Sequence, residues 1–358
     1  MPRERIVIKI GTNVITKDTG LLDIDHMRHI VADIATVIRG GAEVILVSSG
    51  AMGAGRGIVA LDEKEDPVVR RQTLAAVGQV ALMGTYASLF RPHAIVPAQV
   101  LATKEDFRDR THYMNMKNCF SSLLRQGVIP IVNENDVVSV TELMFTENDE
   151  LAGLVSSMMN AERLIILTSV DGVYSGDPES PDAHIIETIA PQDISWQKSI
   201  APTKSSFGRG GMKTKCAVAQ KLATLGIRTH VVNGEKQHAI REVVAGKNIG
   251  TTFLPERQRS NIKKRIAYAY GQEKGTVYIK KDAREILTSK QKTCSLLPVG
   301  ITKIEGAFEK GDIIQIKDEK NQRLGLGVAE YPADTARKYI GVKGKKPLVH
   351  YDYLYIEK

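Results

Sequence analysis

The chain has 358 residues, 42% of them hydrophobic and 25% charged, a length and composition suited to two ordinary globular domains and unlike collagen-like or disordered chains. Its three cysteines, Cys119, Cys216 and Cys294, stand far apart with no CxxC pair, which excludes a readable disulfide framework or zinc knuckle and leads us to expect a reducing, cytoplasmic setting. The net charge of +8 is uneven: residues 256–358 carry 22 Lys+Arg against 13 Asp+Glu, so the whole basic excess lies in the last third.

The first apolar run, 5–10, is broken by Lys9 and followed by polar Thr12 and Asn13, which is not a signal-peptide layout. Further β-branched runs follow at 43–47, 95–99, 128–132, 163–167 and 228–232, several of them apolar without alternation, as in strands covered on both sides. Between them, 26–38, 68–90, 113–126, 150–159 and 212–225 space their apolar residues near 3.6. The pattern predicts an α/β domain over residues 1–255: an open, mostly parallel sheet with helices on both faces. A basic, turn-rich linker (256–274) leads to a small β-rich domain (275–358), with strands near 276–279, 300–304 and 313–316 and a helix near 282–288. No apolar stretch is read as approaching the roughly 20 residues of a membrane helix, so no membrane partner is expected.

Ligands of such sheets bind beyond the carboxyl ends of the strands, so the residues just past each run carry the chemistry. Lys9 in a buried strand needs an anionic partner, for which a bound phosphate would serve; an edge strand reaching solvent is the other reading. Ser48–Gly55 is rich in small residues that let backbone N–H groups approach an anion, yet it fits neither GxxxxGK[ST] nor GxGxxG, and a merely tight turn explains it equally. Asn133-Glu134-Asn135-Asp136 and Thr146-Glu147-Asn148-Asp149-Glu150 offer amides suited to an amino acid and carboxylates suited to magnesium or lysine. Alternatively Asn148 or Asp149 only caps the next helix. Asp171-Gly172 reads as a turn. Phe207–Lys215 gathers three glycines ahead of Met212 and several cations at a helix start, which by composition is a phosphate site or else a flexible basic loop. Two lysine-bearing elements far apart in sequence, aimed at one sheet edge, would clamp a transferring phosphoryl group. A carboxylate acceptor, already ionised at neutral pH, would need no general base, which accounts for the missing catalytic histidine.

Taken together, Lys9-Ile10-Gly11-Thr12-Asn13, Ser48-Ser49-Gly50-Ala51, Asn133–Asp136, Asn148-Asp149, Val170-Asp171-Gly172-Val173-Tyr174 and Gly210–Lys215 resemble the glutamate 5-kinases of the amino acid kinase family. The tail, including Ser295–Ile301, looks like the PUA domain attached to many of them. The resemblance implies ATP- and Mg2+-dependent phosphorylation of the γ-carboxylate of L-glutamate, the first step of proline synthesis. It also implies roles. Lys9 and Lys215 neutralise the phosphoryl group and Asp149 holds them; Ser49, Asp136 and Asn148 bind glutamate. Lys9, Thr168, Ser169 and the loop Arg209, Gly210, Gly211, Met212, Lys213, Thr214 and Lys215 bind ATP, with no protein-held metal. Proline feedback and a homo-oligomer are implied as well. Arg209, Ser169 and Glu147 depart from the family's usual small, acidic and aspartate residues at those places.

Two other functions fit the same sequence. One is a related kinase acting on aspartate, acetylglutamate or a nucleoside monophosphate, although aspartate kinases tend to open with Lys-Phe-Gly-Gly where this chain has Gly11-Thr12. The other is RNA binding through the basic tail, whose charge alone would equally suit a solvated face.

Overall fold

The protein is described from a computed structural model, and the described residues are 3–62, 64–139, 148–199, 211–256, 266, 273–289 and 294–356. It divides into two compact units, Met1–Gln258 and Arg259–Lys358. The expected linker, 256–274, falls largely outside the described residues.

The first unit is built on an eight-stranded sheet formed by β1 (Arg5–Ile10), β2 (Glu43–Ser48), β3 (Val96–Ala102), β4 (Val128–Glu134), β5 (Arg163–Thr168), β6 (Thr188–Ile189), β7 (Arg228–Asn233) and β8 (Thr251–Phe253). Their order is β3-β4-β2-β1-β5-β7-β8-β6, and every pairing is parallel except β7 with β8. Thus β1 is central, with Lys9 beside Val47 of β2 and Ile166 of β5, and the edge-strand reading of Lys9 falls.

Side chains alternate across a sheet with period 2, and the two faces are filled differently. Ile6, Ile8, Ile10, Val44, Leu46, Ile129, Ile131, Ile165 and Leu167 join a core with Met27, Ile34, Leu82, Tyr86 and Phe90. That core belongs to the helices Ile24–Arg39 and Pro67–Phe90. Val7 and Lys9 alternate with these residues and so face the other side, where helix Asn148–Met158 packs on β1, β2, β4 and β5 and against helix Met212–Thr224. Fully burying each Ile, Val or Leu contributes about 1.5–3 kcal/mol as an upper estimate, so β1 with its four fully buried aliphatic residues is a main anchor of the unit.

Helix Pro67–Phe90 corrects one sequence expectation. With the turn that follows it, the run 67–93 is long and apolar enough to cross a membrane by length and composition, contrary to the reading that no such stretch exists. Its tertiary contacts explain the composition. Leu82, Tyr86 and Phe90 are fully buried in the sheet's core, and Gly78 touches the backbone of helix Ala51–Arg56: a Cβ there would lie 1.7 Å from Ala51 O. Gly55 is held the same way, its added Cβ falling 2.1 Å from Leu74 O. Gly55 therefore serves helix packing, a use the anion-loop reading of Ser48–Gly55 did not foresee.

At the other end of the sheet, His230 of β7 is buried, and its Nδ1 lies 3.0 Å from Thr252 Oγ1. Burial, with Arg163 and Arg228 adding repulsion, pushes its imidazole from 6.5 down to about 3. The unfolded imidazole binds a proton near 6.5 that the folded one refuses until about 3. Stability contributed by this residue is therefore complete above pH 6.5 and is lost as pH falls through that window. Chemical denaturation at pH 4–7 is expected to show a smaller decline for His230→Gln than for the wild type, with roughly 3 kcal/mol as the upper bound on the difference over that range. Identical slopes for the two proteins would remove His230 from the account.

The second unit is a five-stranded sheet of β9 (Gly275–Ile279), β10 (Ile301–Gly306), β11 (Ile313–Asp318), β12 (Arg323–Val328) and β13 (Leu354–Ile356), ordered β10-β9-β11-β12-β13 and antiparallel except for β9 with β11. Helices Lys281–Thr288 and Ala333–Tyr339 accompany it; the second helix, β12 and β13 were not read from the sequence. The strand β12 was hidden by its glycines, which depress strand propensity. Tertiary packing requires one of them: a Cβ on Gly325 would stand 2.1 Å from Tyr355 O of the neighbouring strand.

Candidate active site

The carboxyl ends of β1, β2, β4 and β5 bring together residues that are distant in sequence. Lys9 Nζ lies 2.7 Å from Asp149 Oδ1 and Lys215 Nζ lies 3.0 Å from Asp149 Oδ2, so each oxygen of one carboxylate receives one ammonium. The side chain of Asp149 is fully buried, that of Lys9 is 5% exposed and that of Lys215 is 12% exposed. Two ammoniums against one carboxylate leave a net positive charge in a place with little water, an arrangement that attracts a further anion. The sequence supplies each part locally. Lys9 comes at the end of a strand, Asp149 in the first turn of its helix, where a carboxylate suits the dipole, and Lys215 one turn into the helix that Gly211 begins.

Cys216, next to Lys215, is buried, and burial pushes its thiol up to about 12, so it supplies no thiolate nucleophile at neutral pH. Of the expected nucleotide residues, Gly211, Met212 and Thr214 are half-buried at the helix start and Lys213 is exposed. Thr168 is half-buried at the end of β5, with Ser169 exposed just beyond it. Arg209 and Gly210, like Glu147, lie outside the described residues. The Asp171-Gly172 turn follows on. Lys236 Nζ, 2.7 Å away, and the Asn233 amide, 2.9 Å away, hold the Asp171 carboxyl below its usual range.

Of the residues expected to bind the acceptor, Ser49 and Asn148 meet in a second cluster. Asn148 donates from Nδ2 to Ser49 Oγ at 2.8 Å and to Asn133 Oδ1 at 2.9 Å. Its side chain therefore spans two strand ends, and the reading of Asn148 as only a helix cap does not hold. Ser49 sits just before Gly50, whose φ of +102° only glycine adopts without strain and whose added Cβ would meet Ile15 Cδ1 at 2.8 Å. Asp136 lies 3.5 Å from Arg71 of helix Pro67–Phe90, and Gln72 of the same helix donates to Val137 O at 2.7 Å.

Two residues behind this cluster, Gln79 and Tyr86, were missed by the sequence reading. Asn133 donates from Nδ2 to Gln79 Oε1 at 2.9 Å, and Ser48 Oγ is 2.7 Å from the Tyr86 hydroxyl, whose pKa burial raises. A signal existed: Gln79 stands one helical turn from Ala75 and Leu82 and two from Tyr86, a lone amide among apolar buried residues of that face. Among the described residues, no three His, Cys, Asp or Glu side chains are grouped so as to hold a metal ion.

Comparison with known proteins fits this geometry. The family model described as the amino acid kinase family matches residues 4–233, and that of the PUA domain matches residues 275–351. A protein named glutamate 5-kinase from Chlorobaculum tepidum is 48% identical, covering 98% of this chain and 97% of its own. A second of the same name, from Bacteroides thetaiotaomicron, is 47% identical, covering 99% of this chain and 98% of its own. Among solved structures, carbamate kinase from Giardia lamblia bound to AMP-PNP has a TM-score of 0.52 at 17% identity, covering 71% of this chain and 99% of its own. UMP kinase from Ureaplasma parvum reaches 0.51 at 17%, covering 71% and 100%; at these identities the likeness is one of fold. On the strength of a family model spanning most of the length and relatives aligned almost end to end, the chain belongs to the amino acid kinase family.

Proposed function

We infer that this chain uses ATP to phosphorylate the γ-carboxylate of L-glutamate, giving L-glutamyl 5-phosphate, the first step of proline synthesis. The observation that carries the reading is the buried Lys9–Asp149–Lys215 bridge beside an amide-lined cluster, in a chain aligned end to end with glutamate 5-kinases. The γ-carboxylate is ionised at neutral pH and attacks the terminal phosphorus directly. As the new P–O bond forms, the bond to the bridging oxygen breaks, and ADP leaves with its electron pair.

Lys9 and Lys215 offset the charge carried by the phosphoryl oxygens during transfer, and Asp149 sets the spacing between them. Gly211, Met212, Lys213 and Thr214 at the positive end of their helix, with Arg209, Gly210, Thr168 and Ser169, hold the nucleotide. Ser49, Asp136 and Asn148 hold glutamate. Both Asp149 oxygens already face lysines, so magnesium enters as MgATP, ligated chiefly by phosphate oxygens, as this cation commonly is.

A coupled assay with MgATP and, in turn, glutamate, aspartate, acetylglutamate and UMP tests the reading, with turnover expected on glutamate. Turnover of UMP without glutamate would replace it with another kinase of the fold. On the family resemblance we further propose a cytoplasmic homo-oligomer inhibited by proline, with RNA contact through the basic segment 256–358. A monomer by light scattering would remove the oligomer, and turnover indifferent to added proline would remove the feedback. Failure of the full chain to retain RNA near physiological salt would remove the RNA contact.

A further inference from the structure

One hydrogen-bond chain behind the acceptor cluster has its direction fixed by a group that can only donate. The backbone N–H of Glu134 meets the Asn133 side chain at 2.9 Å, so the atom it meets is Oδ1. Asn133 Nδ2 must then find an acceptor, and Gln79 Oε1 supplies it at 2.9 Å. The same Asn133 Oδ1 accepts from Asn148 Nδ2 at 2.9 Å, while Ser49 Oγ at 2.8 Å and Ser48 O at 3.5 Å take up the rest of that NH2 group. The Asn148 amide thus spends its donors on the protein. Its carbonyl Oδ1, which has no protein partner among the described residues, is an acceptor matched to an ammonium and mismatched to a carboxylate.

Gln79 is buried in a mainly apolar helix, and its own Nε2 has no protein partner among the described residues. An apolar side chain of similar volume would fill that space without burying a lone amide group, so packing alone gives no reason for glutamine there. Its contribution is the acceptor offered to Asn133.

We propose that Gln79 is a positioning residue that, through Asn133, keeps the Asn148 carbonyl turned toward the ammonium of the acceptor amino acid, and so helps select an amino acid over a plain dicarboxylate. The proposal rests on the glutamate kinase reading above. The test compares wild type, Gln79→Leu and Gln79→Glu in the full chain, with glutamate and with glutarate, which lacks the ammonium. For Gln79→Leu we expect the KM for glutamate to rise about tenfold and the preference for glutamate over glutarate to shrink by about the same factor, the scale of one net hydrogen bond. The KM for ATP should stay within about twofold, since the nucleotide residues are not in this chain of bonds.

Gln79→Glu keeps an oxygen for Asn133 Nδ2 and should recover most of the preference, which general damage to the helix would not allow. Should Gln79→Leu not fold, Gln79→Met removes the same acceptor and is read in the same way. A glutamate-to-glutarate preference unchanged in the apolar variant, or equally lost in Gln79→Glu, would overturn the proposal alone. Absence of glutamate turnover in the wild type would sink the kinase reading and this proposal with it.

Discussion

Lys215→Ala is expected to lower kcat with glutamate by about 10²- to 10³-fold, the range typical for losing one preorganised electrostatic contact to a developing charge. Stability should change far less. The Lys215 side chain keeps 12% of its surface exposed, and without it Asp149 still has Lys9 at 2.7 Å, so no buried charge is left alone. Because the lysine is assigned to the phosphoryl group in flight, the loss should fall mainly on kcat and less on the KM for glutamate. Lys215→Arg is expected to recover little, since a planar guanidinium cannot occupy the place of a compact ammonium 3.0 Å from one carboxylate oxygen. Steady-state kinetics paired with thermal unfolding checks this; a variant whose kcat stays within a few-fold of wild type would remove Lys215 from the chemistry.

Asp149→Asn should behave in the opposite order, with a large cost in stability as well as activity. The substitution is nearly isosteric but leaves two buried ammoniums facing each other with no counter-charge. Breaking a buried ionic group in this way typically costs about 3–5 kcal/mol. At roughly 2–4 °C per kcal/mol for a unit of this size, Tm should fall by about 10 °C. The same electrostatics predicts a compensation. With the carboxylate gone, the lysine pair should welcome an anion more, so saturating MgATP or inorganic phosphate should raise the variant's Tm by more than it raises that of the wild type. Thermal unfolding with and without these anions reads both effects. A variant as stable as wild type, or one that anions fail to restabilise, would mean that Asp149 is not the counter-charge holding the two lysines.

Together these results would separate a residue that acts during transfer from one that keeps the site assembled beforehand. Gln79 belongs to neither group. Its place is upstream of the acceptor, where the backbone N–H of Glu134 dictates the orientation of two asparagine amides in turn. Carbamate kinase from Giardia lamblia and UMP kinase from Ureaplasma parvum share this fold at 17% identity, so the sheet by itself does not fix the acceptor.

How much the sequence determined by itself follows from the range of the forces involved. Strand and helix periodicities, the break at Gly11, the helix start at Gly211 and the polar ends of β1, β2, β4 and β5 are local properties, visible as alternation, spacing and composition. They placed Lys9, Ser49, Asn148, Asp149 and Lys215 at strand ends or helix starts, where ligand chemistry belongs. What the tertiary structure alone decided was partnership. That Asp149 meets two lysines, that Asn148 ties Ser49 to Asn133 instead of capping its helix, and that Gln79 sits behind them depend on strands neighbouring in the order β4-β2-β1-β5, which is not their order in the chain. The glycines of 50–55 and 325 were ambiguous for the same reason: the atom a Cβ would strike belongs to a distant segment, and steric exclusion between distant segments leaves no periodic trace in the sequence.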